Sequence, residues 1–248
     1  MRKKRNIAIF FLLLAVAAVG TAACAGSKSR ELPISVNGEE VSQEEYLQSM
    51  KECKFYVERY FAENFDADIE AGDFWESDFD GENPCRKLTE DTIDAILKQR
   101  AVYSLAEERG YIEDGSYAGT VKRMEEENRL RAEKIKNNEV VYGLTSYSLP
   151  QWLDYEEGIL REAFCNDLNN EEMQLSEEER TEFFENGVWT DQDGIPGITI
   201  EELGSGFDQE LRKAKYDDLI EKRAEEAELL MDEEAVYEFT LEKLQVKS

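Results

Sequence analysis

The chain reads as mainly α, a multi-helix body with at most a small terminal β pairing. Three observations predict this. Helix starts of the form Ser-x-x-Glu or Ser-x-x-Gln recur, apolar residues behind them return every three or four positions, and strand-like segments are confined to the two ends. Apolar residues make up 41% of the chain and aromatics 10%, so the 35% that is charged describes a solvated surface rather than an unfolded chain.

Taken in order, residues 34–36 (Ile-Ser-Val) are a short strand candidate before an Asn37-Gly38 turn. Ser42 begins a capping box with Glu45 at its third helical position, and Val41 and Tyr46 stand where a hydrophobic staple belongs. Tyr46, Met50, Cys53, Val57 and Tyr60 form one stripe, which predicts a helix to about Asn64. Thr89, followed by Glu90 and Asp91, predicts a second helix that buries Ile93, Ile96, Leu97, Ala101 and Leu105 and closes at Arg109-Gly110. Residues 116–138 predict a charged helix lying largely in solvent, with a thin stripe of Val121, Met124, Leu130 and Ile135. Ser148 and Gln151 form another capping box ahead of Trp152, Ile159, Leu160, Ala163 and Phe164. Ser176 with Glu179 repeats the device for a short helix that carries Phe183 and Phe184 and stops at Gly187. A last long helix is expected over residues 207–230, with Leu211, Tyr216, Ile220 and Ala227 inward. Near the C-terminus, residues 229–231 or 236–241 are strand candidates, the second reading equally as helix. If the ends pair, the chain closes on itself as one body over residues 34–248.

The first residues read as an export signal. Arg2, Lys3, Lys4 and Arg5 precede an apolar run from Ile7 to Val19, which is short for a membrane span of ~20 residues. Thr21-Ala22-Ala23-Cys24 then resembles the lipobox of bacterial lipoproteins, with Thr21 where that family usually has Leu. The resemblance implies a signal peptide over residues 1–23, acylation of Cys24, a tether over residues 24–33 and a body held at the outer side of a membrane by its lipid. The same Ala23-Cys24-Ala25 also suits an ordinary signal peptidase.

Loss of residues 1–23 removes four positive charges and takes the formal charge from −28 to −32. A surface so acidic repels phosphate backbones, which excludes nucleic acid as a partner. The chain has no histidine and no Cys-x-x-Cys pair, so zinc, redox and histidine-dependent catalysis have no residues to use. Cys53, Cys85 and Cys165 permit one disulfide, with Cys53 and Cys85 the favoured pair, or are three small buried apolar residues. Asp78-Phe79-Asp80-Gly81 and Asp191-Gln192-Asp193-Gly194 both fail the calcium-loop spacing, so no metal and no cofactor is expected. Residues 55–79 gather Phe55, Tyr56, Tyr60, Phe61, Phe65, Phe74, Trp75 and Phe79 among carboxylates. Of these, Phe55, Tyr56, Phe61, Phe74 and Trp75 read as a peptide-binding groove, or else as core packing under a loop.

The order of parts resembles the SurA and PrsA type of exported foldase. The resemblance is carried by residues 34–46, by Ala106-Glu107-Glu108-Arg109-Gly110-Tyr111, by residues 175–186, and by the helix over residues 211–223. It implies a helical chaperone body that cradles unfolded exported polypeptides. In that family a parvulin isomerase domain follows the Phe184 helix, whereas here residues 185–198 leave room for one or two strands of ~5 residues. The isomerase activity is therefore not carried over, and no catalytic residue is assigned. Three functions are consistent with these features: a tethered holdase or folding factor, a peptidyl-prolyl isomerase with a divergent site, and a scaffold that is not a chaperone.

Anchoring through Cys24 has a direct test. Cys24→Ser should move the protein from the membrane fraction to the soluble exported fraction and lower its mass by the lipid. Unchanged partitioning and mass would rule out the lipid.

Overall fold

The computed structural model describes residues 32–167, 169–190 and 197–245. The expected signal peptide, Cys24, nearly all of the tether and the Asp191–Gly194 turn lie outside the described residues. In chain order the elements are β1 (Ile34–Val36), β2 (Glu39–Glu40), α1 (Gln43–Phe65), a 3-10 turn (Phe74–Glu76), α2 (Pro84–Glu108), α3 (Tyr117–Lys136) and α4 (Leu149–Asn166). A second 3-10 turn (Glu171–Met173), α5 (Glu177–Asn186), α6 (Ile200–Glu226), β3 (Leu229–Met231) and α7 (Glu233–Gln245) complete them. This is the mainly helical body with a small terminal β pairing that the sequence predicts.

The two ends of the chain meet in an antiparallel sheet of order β2-β1-β3, in which Ile34 faces Met231 and Val36 faces Leu229. Asn37 (φ 53°) and Gly38 (φ 80°) both take the left-handed region, as a two-residue hairpin turn between β1 and β2 requires. Asn37 also bonds Glu228 twice, its N–H donating to the Glu228 carbonyl and its Oδ1 accepting from the Glu228 N–H, each at 2.8 Å. Leu32 and Pro33, expected in the tether, belong to the body: Leu32 is in the core and the Pro33 carbonyl accepts from Asp232.

Two apolar cores lie along α2. The first joins β1, α1, the N-terminal half of α2 and α7 through Ile34, Val36, Tyr46, Val57, Phe61, Leu88, Ile96 and Phe239. The second joins the C-terminal half of α2 with α4 and α6 through Val102, Leu105, Leu153, Phe164, Tyr216 and Ile220. At 25 residues α2 is about 37 Å long, enough to serve both. Between them Arg100 donates to both Glu45 carboxylate oxygens at 2.8 Å and to the carbonyls of Glu39 and Glu40 at 3.2 and 2.9 Å. A buried hydroxyl chain adds a second tie, with Tyr46 and Thr240 at 2.5 Å and Thr89 donating to Thr240 at 3.2 Å. Burial pushes the Tyr46 phenol up to about 12.

Several boundaries and faces differ from the sequence expectation. The second helix starts at Pro84 rather than Thr89, because Asn83 caps it by accepting from the Arg86 N–H and proline suits the first helical position. The last long helix starts at Ile200 behind a Thr199–Glu202 capping box, and a kink at Gly204 (φ 61°) joins its two runs. Thr89 instead lies inside α2 with its hydroxyl on the Cys85 carbonyl. Residues 236–241 are helical, so only residues 229–231 form a strand. Ile159 is 48% exposed, the inward face of α4 being Trp152, Leu153, Glu156, Leu160 and Phe164.

The Cys53–Cys85 disulfide is not formed, and the three cysteines are thiols. Cys53 faces the Asp91 carbonyl, whereas Cys85 faces Tyr237 of α7. Asp91 lies six residues beyond Cys85, about 9 Å along α2, further than a disulfide reaches between Cα atoms. Burial raises the Cys53 thiol to about 11 and the Cys85 thiol to about 12, which keeps both protonated and unreactive.

The packing separates the α1 aromatics into two kinds. Phe61→Ala should lose about 3–5 kcal/mol in urea unfolding, whereas Tyr56→Ala should stay within about 0.5 kcal/mol of the parent. Similar losses for the two variants would contradict this division of α1.

Candidate functional site

The structure splits the predicted aromatic groove. Phe61 and Phe74 are 0% and 1% exposed and pack with Phe65 and Phe79 at ring separations of 5.3 to 6.0 Å, so they are core. A buried ring cannot meet a client without unfolding, and the groove expectation is withdrawn for these two. Trp75 is half-buried against Phe74 at 4.8 Å. Phe55 and Tyr56 point outward at 60% and 61% exposure, edge to face at 5.6 Å, with the Arg59 guanidinium within 5.8 Å of both rings. The spacing of α1 carried this distinction: Tyr46, Met50, Val57 and Phe61 repeat at four, seven and four, and Phe55 and Tyr56 fall off that stripe.

A larger exposed apolar surface lies where the sequence shows only a charged helix. The charged α3 helix lies largely in solvent, as the sequence predicts, with Leu130 and Ile135 of its thin stripe 40% and 47% exposed. The base of α3 is attached mainly by polar contacts. Arg123 donates to both Glu156 oxygens at 2.6 and 3.1 Å and to the Asp114 carbonyl, while Trp152 donates to Glu156 at 3.1 Å. A Cβ on Gly119 would stand 2.7 Å from the Asp114 carbonyl oxygen, so only glycine allows this turn to close on the helix.

Beyond Asn137 the chain returns along α3. Buried Arg131 holds that return by donating to the carbonyls of Tyr142 and Leu144 and lies over the Tyr147 ring at 4.8 Å. Asn128 bonds Tyr147 in both directions, at 2.9 and 2.7 Å. Tyr147 in turn stacks on Tyr155 at 5.0 Å and meets Trp152 edge on at 5.5 Å. The result is a braced arm with Val140, Tyr142 and Leu144 at 70%, 85% and 43% exposure near its end. Apolar residues at 140–142 between two capped helices were the available sequence signal.

An open cleft of about 530 Å³ between α1, α2, α4 and α6 is lined by Glu52, Lys98, Gln99, Asp154, Glu157 and Asp217 among others. Burial, helped by the charges of Asp154, Glu52 and Glu156 and opposed by a hydrogen bond from Gln99, pushes the Glu157 carboxyl up to about 7. Burial likewise raises Glu52 and Asp217. Among the described residues no group of three or more His, Cys, Asp or Glu side chains is arranged to hold a metal ion, and no helix is long and apolar enough to cross a membrane.

The cleft predicts a pH effect of definite sign. An unfolded Glu157 titrates near its ordinary 4.5 and the folded one near 7, so the folded state holds the extra proton. Its contribution to stability is complete below about pH 4.5 and is lost as pH rises through 7, a swing on the order of 3 kcal/mol. Glu157→Gln should therefore be more stable than the parent above pH 7, with the difference closing as pH falls toward 5. A pH-independent difference in melting temperature would contradict the assignment.

No family model matches the chain, and no solved structure matches it. The foldase-type resemblance therefore rests on its motifs alone. The chain is 32% identical over 223 residues to the chaperone for lacto-N-biosidase of Bifidobacterium longum subsp. longum, an alignment that covers 89% of this chain and 79% of that one. With likeness spread over most of both chains, the chain belongs to the family of that lacto-N-biosidase chaperone.

Proposed function

We propose that the chain is a surface-tethered folding factor that holds a client polypeptide on its way to the folded state, without isomerase catalysis. The observation that carries the reading is the likeness to a named chaperone over most of the chain. The exposed apolar side chains on α1 and on the α3 arm support it, because such side chains gain about 25 cal/mol for each Å² that a client's apolar surface removes from water. The strongly negative surface supports it too, since net charge keeps a chaperone and its bound client soluble. The absence of catalysis is inferred from the short connection over residues 185–198. By likeness, a single enzyme client of the lacto-N-biosidase kind is the first to try, with exported polypeptides in general behind it.

Refolding tests this. A chemically unfolded lacto-N-biosidase, diluted with an equimolar amount of this chain and no nucleotide, should scatter less light and recover more activity than without it. A proline-containing test peptide should isomerise at the background rate. Light scattering unchanged by the chain would end the holdase reading, and isomerisation well above background would replace it with the enzymatic one.

A further inference from the structure

The α3 arm combines three properties that an idle surface loop has no need of. Its end carries the exposed Val140, Tyr142 and Leu144, with Leu130 and Ile135 on the helix beside them. It is braced from within: Arg131, only 9% exposed, donates to two loop carbonyls and to the Glu127 carboxylate, and Asn128 locks Tyr147 from both sides. A loop held in one shape presents its side chains without losing freedom on binding. It is also a basic stretch in an acidic chain, residues 128–148 carrying four Lys or Arg against two Glu where the whole chain has net charge −28.

We propose that the end of this arm is the client-docking surface, and that it takes an extended apolar client segment flanked by carboxylates. The proposal rests on the chaperone reading above and names the surface it uses. Tyr142, Val140 and Leu144 cover the client's apolar side chains, and the exposed Lys134 and Lys136 meet its carboxylates. Charge complementarity selects this client chemistry over a second copy of the chain. Two copies, each at −28, repel before their arms can meet. The exposed pair Phe55 and Tyr56 has a single arginine beside it and no braced loop, so the arm is the better-prepared surface.

Binding of two fluorescein-labelled peptides to the full chain, read by anisotropy, tests the proposal. One peptide alternates Leu with Asp and the other alternates Leu with Lys. The Asp peptide should bind more tightly, and added salt should weaken it. Tyr142→Ser with Leu144→Ser should weaken it about tenfold, and Lys134→Glu with Lys136→Glu should remove the preference for it. All four side chains are exposed, so melting temperatures should stay at the parent value, and Phe55→Ser with Tyr56→Ser serves as the comparison surface. Tip variants that bind like the parent overturn the proposal. If they also still suppress client aggregation, the chaperone reading stands with its surface elsewhere; if the parent itself fails to suppress aggregation, that reading has failed as well. A parent dimer that the tip variants dissociate in sedimentation, or binding to anionic vesicles that they abolish, would assign the arm to a second copy or to lipid and overturn the client assignment.

Discussion

Arg100 sits where α2 passes from one apolar core to the other, and the arrangement of the body turns on how that cation is satisfied. Its guanidinium takes both oxygens of the nearly fully buried Glu45 together with the carbonyls of Glu39 and Glu40. One side chain of α2 thereby fixes the start of α1 and the β1–β2 hairpin, and the hairpin's central strand is the one that pairs with β3. Removing either partner of such a pair strands the other charge out of water, at a cost of about 3–5 kcal/mol. Ion pairs of this kind specify geometry more than they add stability, and here the geometry is the closure of the two chain ends.

The same device recurs at the arm. Arg123 on Glu156 and Arg131 on two loop carbonyls are cations largely removed from water, each with several acceptors. In a chain with 57 acidic residues and 29 basic ones, a cation finds a carboxylate without difficulty, and the excess carboxylates are left to one another. Where they meet in the cleft between α1 and α4, burial favours the protonated form, and Glu157 rises toward neutrality. The attachment of α3 is thus mostly polar, while α1, α2, α4, α6 and α7 are held by apolar burial.

That division suits a protein that has to stay folded while offering apolar surface. The large rings that would make the most adhesive groove, Phe61 and Phe74, are inside and stabilise the body. The large apolar side chains left outside lie in several separate places, among them α1, the arm, Tyr155 and Ile159 on α4, and Val188 beyond α5. Membership of a chaperone family and this distribution of apolar surface point the same way.

The helical class, most helix starts and the terminal strand pairing were legible in the sequence because they depend on local chemistry. Ser42, Ser116, Ser148 and Ser176 each precede their helix by one residue, and a stripe at three and four spacing shows one face of a helix whatever it packs on. Tertiary structure decided what a stripe cannot carry. Leu130 and Ile135 stand on a helix stripe yet are 40% and 47% exposed, while Arg131 between them is buried under the returning chain. Phe61 and Tyr56 have similar sequence surroundings and opposite burial, since only one of them faces the rings of the 66–83 loop. The tie from Arg100 to Glu45 spans 55 residues, and that from Arg131 to Leu144 spans 13. No local pattern marks such partners: a cation in a chain this acidic has many possible carboxylates, and the one it meets is set by how the helices pack.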